Sequence, residues 1–229
     1  MHSQQIYIHP CDGKDDTQKI SIMDSQNPPP QNAQQPSQLS LFIARIVFRI
    51  KLAAAIVCLW ALCFSINTIM KNSIAVEYDG GIADSSKSWA AVIKEGPAKH
   101  SKEYWHKLNA MSEKDKKKPL PALACLMAKI CGIKVYLLCD RTEESSETIV
   151  RTWKRLASEI HFTPDPNDRY EFLEKHKPLL YAASSDENII QAVKAEVMPI
   201  RIKRKENSSL PGNYNPGKYG EKIIPFSQF

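Results

Sequence analysis

The stretch Val76-Glu77-Tyr78-Asp79-Gly80-Gly81-Ile82-Ala83-Asp84-Ser85 follows the run Ser73-Ile74-Ala75-Val76 without a break. A short apolar run that stops at a Gly-Gly turn reads as a buried strand ending in a tight loop. That loop carries two carboxylates one residue apart, an acid-x-acid-Gly pattern at a strand end. Three more runs read as buried strands: Ile133-Lys134-Val135-Tyr136-Leu137-Leu138, Pro178-Leu179-Leu180-Tyr181-Ala182-Ala183 and Pro199-Ile200-Arg201-Ile202. Helical patterns lie between them: Leu120 to Ile130, Ser145 to Leu156 opened by Thr142-x-x-Ser145, Tyr170 to His176, and Ile189 to Ala195. Strand, helix and strand at this spacing imply right-handed crossovers, hence an α/β domain with a mostly parallel sheet and helices on both faces. In such a sheet the chemistry gathers at the C-terminal ends of the strands.

Upstream of this region, Leu52 to Met70 (LAAAIVCLWALCFSINTIM) holds 19 residues without a charge. As a helix that run is about 28 Å long, close to the hydrocarbon thickness of a bilayer. Arg45, Arg49 and Lys51 precede it and Lys71 follows it. The excess of basic residues on the N-terminal side predicts one pass with the N-terminus cytoplasmic and residues 72–229 across the membrane. Residues 1–40 are rich in Gln and Pro and have no apolar periodicity, so they read as a disordered cytoplasmic leader, with residues 41–71 as the anchor and its basic flank. The composition, 43% hydrophobic and 24% charged, excludes a chain disordered throughout and a polytopic membrane protein. A net charge of +6 is spread along the length and names no partner. The lysine-rich stretch Glu113 to Lys118 reads as a solvated loop, and no aromatic residues interleave with it to suggest nucleic-acid binding. Six cysteines show no C-x-x-C and no paired His ligands, which argues against a zinc site. Whether Cys125 and Cys131 pair is left open by their spacing.

Four loops carry the residues of interest. The first is Glu77-Tyr78-Asp79-Gly80, the second Leu138-Cys139-Asp140-Arg141, the third Asn167-Asp168-Arg169, and the fourth Ala183-Ser184-Ser185-Asp186-Glu187-Asn188-Ile189. In this order the set resembles the haloacid dehalogenase superfamily, whose motifs run Asp-x-Asp-(Gly/Asp)-Thr, then Thr or Ser followed by Gly or Asn and often Arg, then a Lys opening a helix, then Gly-Asp-x-x-x-Asp. Within it, Tyr104-Trp105-His106-Lys107-Leu108-Asn109 and the tail Ile200-Arg201-Ile202-Lys203-Arg204, Asn207-Ser208, Pro216-Gly217 and Tyr219-Gly220-Glu221 are similar to the periplasmic class B acid phosphatases. The likeness covers residues 74–229. It implies a Rossmann-like domain with a small helical cap insert, a periplasmic address and self-association.

The resemblance also assigns roles, and the residues depart from them. Glu77 stands at the nucleophile position, where its extra methylene displaces the carboxylate by about 1.5 Å; a misplacement of about 1 Å can lower a rate on the order of 10²-fold. Asp79 stands at the general-acid position, or serves only as a turn residue accepting backbone N–H bonds. Cys139 replaces the phosphate-binding hydroxyl with a weaker donor, and a buried structural thiol suits it better than a nucleophile. Arg169 replaces the phosphate-binding ammonium with a wider fork, able to bind an anion or to sit exposed at a helix start. Ser184 and Asn188 stand where the family's Mg²⁺-binding acids belong, which leaves Asp186 as a weak metal ligand.

These departures predict a membrane-anchored pseudophosphatase with no cofactor, acting as a binding or scaffold component of the inner membrane and cell envelope through a protein partner. The opposing expectation is an active phosphomonoesterase that places Glu77, Asp79 and Asp186 around Mg²⁺. Converging carboxylates would favour the enzyme, and Arg169 or a Lys in the metal position would favour the binder. A further reading puts the function in the leader, where Pro28 to Pro30 could dock an aromatic groove.

Overall fold

The computed structural model describes residues 38–229. The leader expected over residues 1–40, and the proline segment within it, therefore lie outside the described residues except for residues 38–40, which are helical rather than part of a leader. By internal contacts the chain divides into residues 1–49 and 50–229. The first unit is described only where it forms the start of helix α1 (Gln38–Met70), which runs for 33 residues through Arg45, Arg49 and Lys51. The charge-free run thus forms the second part of a longer helix. This helix is long and apolar enough to cross a membrane.

The remaining elements follow in order: β1 (Ser73–Glu77), β2 (Ala83–Asp84), α2 (Ser86–Glu95), α3 (Lys102–Ala110), a 3-10 turn (Met111–Lys114), β3 (Lys116–Lys117), α4 (Pro119–Ile130) and β4 (Lys134–Cys139). After them come α5 (Glu147–Trp153), β5 (Glu159–Phe162), α6 (Pro166–His176), β6 (Leu180–Ala183), α7 (Asp186–Lys194), β7 (Met198–Ile202) and β8 (Lys222–Ile224). The main sheet has the order β5-β4-β1-β6-β7-β8 and every pair in it is parallel. Strand β1 is central, with Val76 opposite Leu137 on one side and Ala182 on the other. Alternation along the strands divides the core between the two faces. Val76, Leu137, Cys139, Ile149 and Trp153 pack on one face, and Ala75, Tyr136, Leu138, Tyr181 and Ile189 on the other. The sheet grows from β1 in opposite directions, through β4 to β5 and through β6 to β8, so the loops after β1 and β6 diverge and leave a crevice between them.

Helices α2 and α3 and the 3-10 turn form the expected cap insert between β1 and α4. They have their own core of Trp89, Val92, Tyr104, Trp105 and Leu108. Ser101 caps α3 by accepting the amide of Tyr104, which satisfies one of the free donors at the helix start.

The structure corrects several sequence expectations. Strands β5 and β8 were not anticipated: Glu159-Ile160-His161-Phe162 mixes polar and apolar residues on an edge, and Lys222-Ile223-Ile224 is too short to show a period. Helix α5 begins at Glu147 and stops at Trp153, short of Leu156. The stretch Glu113 to Lys118 is solvated at Glu113, Lys114, Lys116 and Lys117, as expected, but it is not simply a loop. Lys116 and Lys117 pair with β2, and Lys118 is only 3% exposed. Cys125 and Cys131 are both free thiols, and burial pushes the Cys125 thiol up to about 12.

Candidate functional site

The crevice is floored by the turn after β1. Gly80 adopts a left-handed φ of 77°, its N–H bonds to Ala83 O at 2.8 Å, and Ile82 N–H returns to Glu77 O at 2.9 Å. The chain folds back so closely at Gly81 that a Cβ there would lie 2.0 Å from Glu77 O. This turn holds Glu77 and Asp79 at the end of β1, both nearly inaccessible at 1% and 4% exposure.

The Glu77 carboxylate is met by protein donors. One oxygen accepts the backbone N–H of Ser184 and the other accepts Asn188 Nδ2 at 2.7 Å. Asn188 lies in the first turn of α7, whose N-cap Ser185 accepts the Asn188 amide. Its side-chain amide also donates to Asp140 Oδ2 at 3.2 Å, and its Oδ1 accepts from Arg169 Nη1. Arg169, on α6, is 2% exposed rather than solvated at a helix start. Its Nη2 lies 2.7 Å from Asp140 Oδ1 and donates to Thr163 O at 2.5 Å. Glu77, Asn188, Asp140 and Arg169 therefore form one closed network. Burial would lower the Arg169 pKa, but the surrounding groups, Asp140 first and then Tyr181 and Glu77, together outweigh it and hold the guanidinium above its ordinary value.

Asp140 was quoted within the second motif but given no role. Burial pushes its carboxyl up to about 7, against the lowering effect of Arg169. An acid with a raised pKa in the folded state binds its proton more tightly there than in the unfolded chain, so its contribution is full below the ordinary carboxyl range and is lost as pH rises towards 7. Thermal unfolding of Asp140→Asn should accordingly show a flatter decline in Tm between pH 5 and 8, a range spanning about three pH units around that value, than the unaltered chain. Parallel curves would show that Asp140 does not titrate in this range.

A second cluster surrounds Asp79. Its Oδ1 accepts Trp89 Nε1 at 2.9 Å and Arg141 Nη2 at 2.6 Å, and its Oδ2 accepts Arg141 Nε at 3.0 Å. Arg141 also donates to Asp115 Oδ2 at 3.0 Å and Leu108 O at 3.0 Å, and lies over the Tyr78 ring. Asp115 in turn accepts Tyr78 Oη at 2.8 Å and Ser88 Oγ at 2.5 Å. Burial would lower the Arg141 pKa, but Asp79, Tyr78 and Asp115 keep it raised. The cluster ties the turn after β1 to the cap insert. Asp115 escaped the sequence reading because it sits within a run of lysines.

The other expected site residues lie elsewhere. Asp186 faces the C-terminal tail, accepting Asn215 N at 2.9 Å and Asn215 Nδ2 at 2.7 Å, and it forms an ion pair with Arg201 Nη2 at 2.9 Å. Arg201 also pairs with Glu221 at 2.8 Å. The structure thus brings Glu77 together with Asn188 and Arg169, but not with Asp186. Ser184 Oγ donates to Asp79 O at 3.3 Å and accepts Arg204 Nε at 3.3 Å. Cys139 is fully buried, and burial pushes its thiol well above the ordinary range. Lys118 donates to Gly80 O at 2.6 Å and Lys203 O at 2.9 Å, and burial lowers its ammonium to about 8. Above these groups opens a cavity of about 430 Å³, with Glu77, Asp140 and Arg169 at the floor and Trp89, Tyr104 and Trp105 on the wall.

The strand order, the cap insert after β1 and the strand-end cluster define the haloacid dehalogenase-like fold. Solved structures agree: CbbY from Rhodobacter sphaeroides in complex with phosphate matches with a TM-score of 0.52 and 11% identity over 69% of this chain and 95% of that one. A putative beta-phosphoglucomutase from Thermotoga maritima matches with a TM-score of 0.50 and 14% identity over 68% and 95%. In sequence, the chain is similar to the class B acid phosphatases of Xenorhabdus bovienii, 26% identical over 43% of this chain and 46% of that one, and of Morganella morganii, 24% identical over 56% and 58%. It spans about half the length of these curated relatives. No family model matches.

Proposed function

We propose that this chain is a membrane-anchored, catalytically silent relative of the class B acid phosphatases that works as a binding or scaffold module of the bacterial cell envelope. In this reading α1 crosses the inner membrane with its N-terminus in the cytoplasm, and the domain stands in the periplasm, where it meets a protein partner or a second copy of itself. The observation that carries the loss of activity is the engagement of Asp79. Three side-chain donors from Trp89 and Arg141 take up both of its oxygens, so neither is free to deliver a proton to a leaving group.

The rest of the site supports this reading. A hard divalent cation needs oxygen ligands with negative charge. Around Glu77 stand an amide N–H, the Asn188 NH₂ and the Arg169 guanidinium, while Asp186 is paired with Arg201. The donor set does not fit Mg²⁺, because the space beside the carboxylates is filled by groups that present hydrogens to them. An aromatic-walled cavity with a buried guanidinium at its floor nonetheless remains suited to binding.

Turnover of a generic phosphomonoester by the full chain in detergent, with and without Mg²⁺ from pH 5 to 8, tests the reading across about three pH units around the carboxyl and imidazole ranges. The expected result is a rate equal to buffer in every condition, unchanged in Glu77→Gln. Metal-dependent turnover abolished by Glu77→Gln would establish the enzyme instead.

A further inference from the structure

Helix α4 is the one short helix among the described residues apolar enough to stand beside α1 in hydropathy. It leaves Leu120, Leu123, Leu126, Met127 and Ile130 exposed, between 41% and 55%. Steps of three and four residues place these side chains on one broad face. The single charge on α4, Lys129, is turned inward, its ammonium donating to the carbonyls of Arg155 and Ala157 at 3.0 Å each. The outer face is therefore uncharged, and among the described residues nothing covers it.

The end of α4 is joined to the apolar part of α1. Trp60 Nε1 donates to Ile130 O at 2.8 Å, and Asn67 Nδ2 donates to Cys131 O at 2.8 Å. Gly132 sits so close that a Cβ would lie 2.8 Å from Phe64 O. These bonds also account for Asn67 inside an apolar run, since its amide is satisfied by the domain and not left facing lipid. Trp60 precedes the end of α1 by ten residues, about 15 Å of helix. With α1 as the anchor, these bonds place the headgroup boundary beside Trp60, so the part of α1 before it crosses the hydrocarbon and the end of α4 lies at the interface.

We propose that the apolar face of α4 lies in the bilayer interface, seating the base of the domain on anionic lipid rather than leaving it free above the membrane. This rests on reading α1 as the anchor. Lipid is the occupant because the face is continuous with the surface of α1 that lipid must already cover. Charge agrees: Lys154 and Arg155, just past the end of α5 and in the segment that Lys129 reaches, are exposed and suit anionic headgroups. The seat also orients the site. Only two residues separate the end of α1 from the start of β1, so the N-terminal ends of the strands face the bilayer and the crevice at their C-terminal ends opens away from it.

The full chain in phosphatidylglycerol-containing vesicles tests the seat. Leu123→Cys and Met127→Cys would each carry a bimane label, with the signal of the unaltered chain subtracted and Val193→Cys, on exposed α7, as reference. Lipid-borne doxyl groups should quench positions 123 and 127 several-fold more than aqueous iodide does, with the reverse at 193. Iodide quenching at all three positions, in a chain that resists alkaline carbonate extraction, would overturn the seat while leaving the anchor in place. Release by carbonate would remove the anchor reading and the proposal with it. Resistance to both quenchers, with disulfide cross-links between copies through position 123, would give the face to a second copy and overturn the lipid seat.

Discussion

Arg141→Met is expected to lower stability by about 3–5 kcal/mol, because it strands two buried carboxylates that now share one guanidinium. The Arg141 side chain is 0% exposed, and those of Asp79 and Asp115 are 5% and 1% exposed. Met fills much of the volume but supplies none of the donors, and Leu108 O loses its partner as well. For a domain of this size the change corresponds to a fall in Tm on the order of 10 °C. Its pH dependence follows from the same charges. Burial already pushes the Asp115 carboxyl up, and Arg141 opposes that rise. Without the guanidinium the folded state holds its protons more tightly than the unfolded chain, so the variant regains stability as pH falls, and the deficit should be smaller at pH 5 than at pH 8, about three units higher. Arg151→Met provides the contrast, because its pair with Glu113 is 71% and 67% exposed and should leave Tm unchanged. Thermal melts of the three chains at both pH values decide the matter. Equal Tm values for Arg141→Met and Arg151→Met would show that the cluster does not hold the cap insert to the sheet.

Gly81→Ala should destabilise the domain by on the order of 4 kcal/mol, through space alone. The residue does not need a left-handed backbone, but the added methyl would meet Glu77 O at 2.0 Å and Glu77 C at 2.7 Å. Both atoms belong to the backbone of the central strand, so a side-chain rotation cannot relieve the overlap. The turn must open, which breaks the return bond from Ile82 N to Glu77 O and moves the carboxylate that caps Ser184 N. Gly96→Ala is the control. Nothing lies within 4 Å of a Cβ there, and only the left-handed φ of 74° opposes it, at about 1 kcal/mol. Denaturant unfolding gives the two values, and amide exchange at Ser184 reports the opened turn directly. Protection at Ser184 in Gly81→Ala equal to that in the unaltered chain would mean that the turn absorbs the methyl without moving Glu77.

Much of the fold was legible because its signals are local. The four apolar runs became β1, β4, β6 and β7, and the helical pattern at Leu120 to Ile130 became α4 almost to its ends. Edge strands were harder to read. His161 and Glu159 in β5 reach solvent on an edge, so burial imposes no period there, and β8 takes its place by pairing with β7 after nineteen residues of tail. The site was legible in position more than in partnership. Glu77, Asp79 and Arg169 were named from motif order, yet Asp140, which pairs with Arg169, and Asp115, which joins Asp79 on Arg141, carried no local sign. Asp115 and Lys118 sit in a charge run whose usual state is hydration. Their burial depends on Tyr78, Arg141, Gly80 and Lys203, residues as many as 85 positions away.

The sequence by itself determined a charge-free run long enough to cross a bilayer, the periodicity of an α/β sheet, and an acid-x-acid-Gly turn at the end of its first strand. Each is set by neighbours within a few residues. Only the tertiary structure decided which carboxylate faces which cation: Asp79 with Arg141, Asp140 with Arg169, and Asp186 with Arg201. A buried charge is stable only beside a partner, and the sheet order, not the spacing along the chain, brings those partners within hydrogen-bond reach.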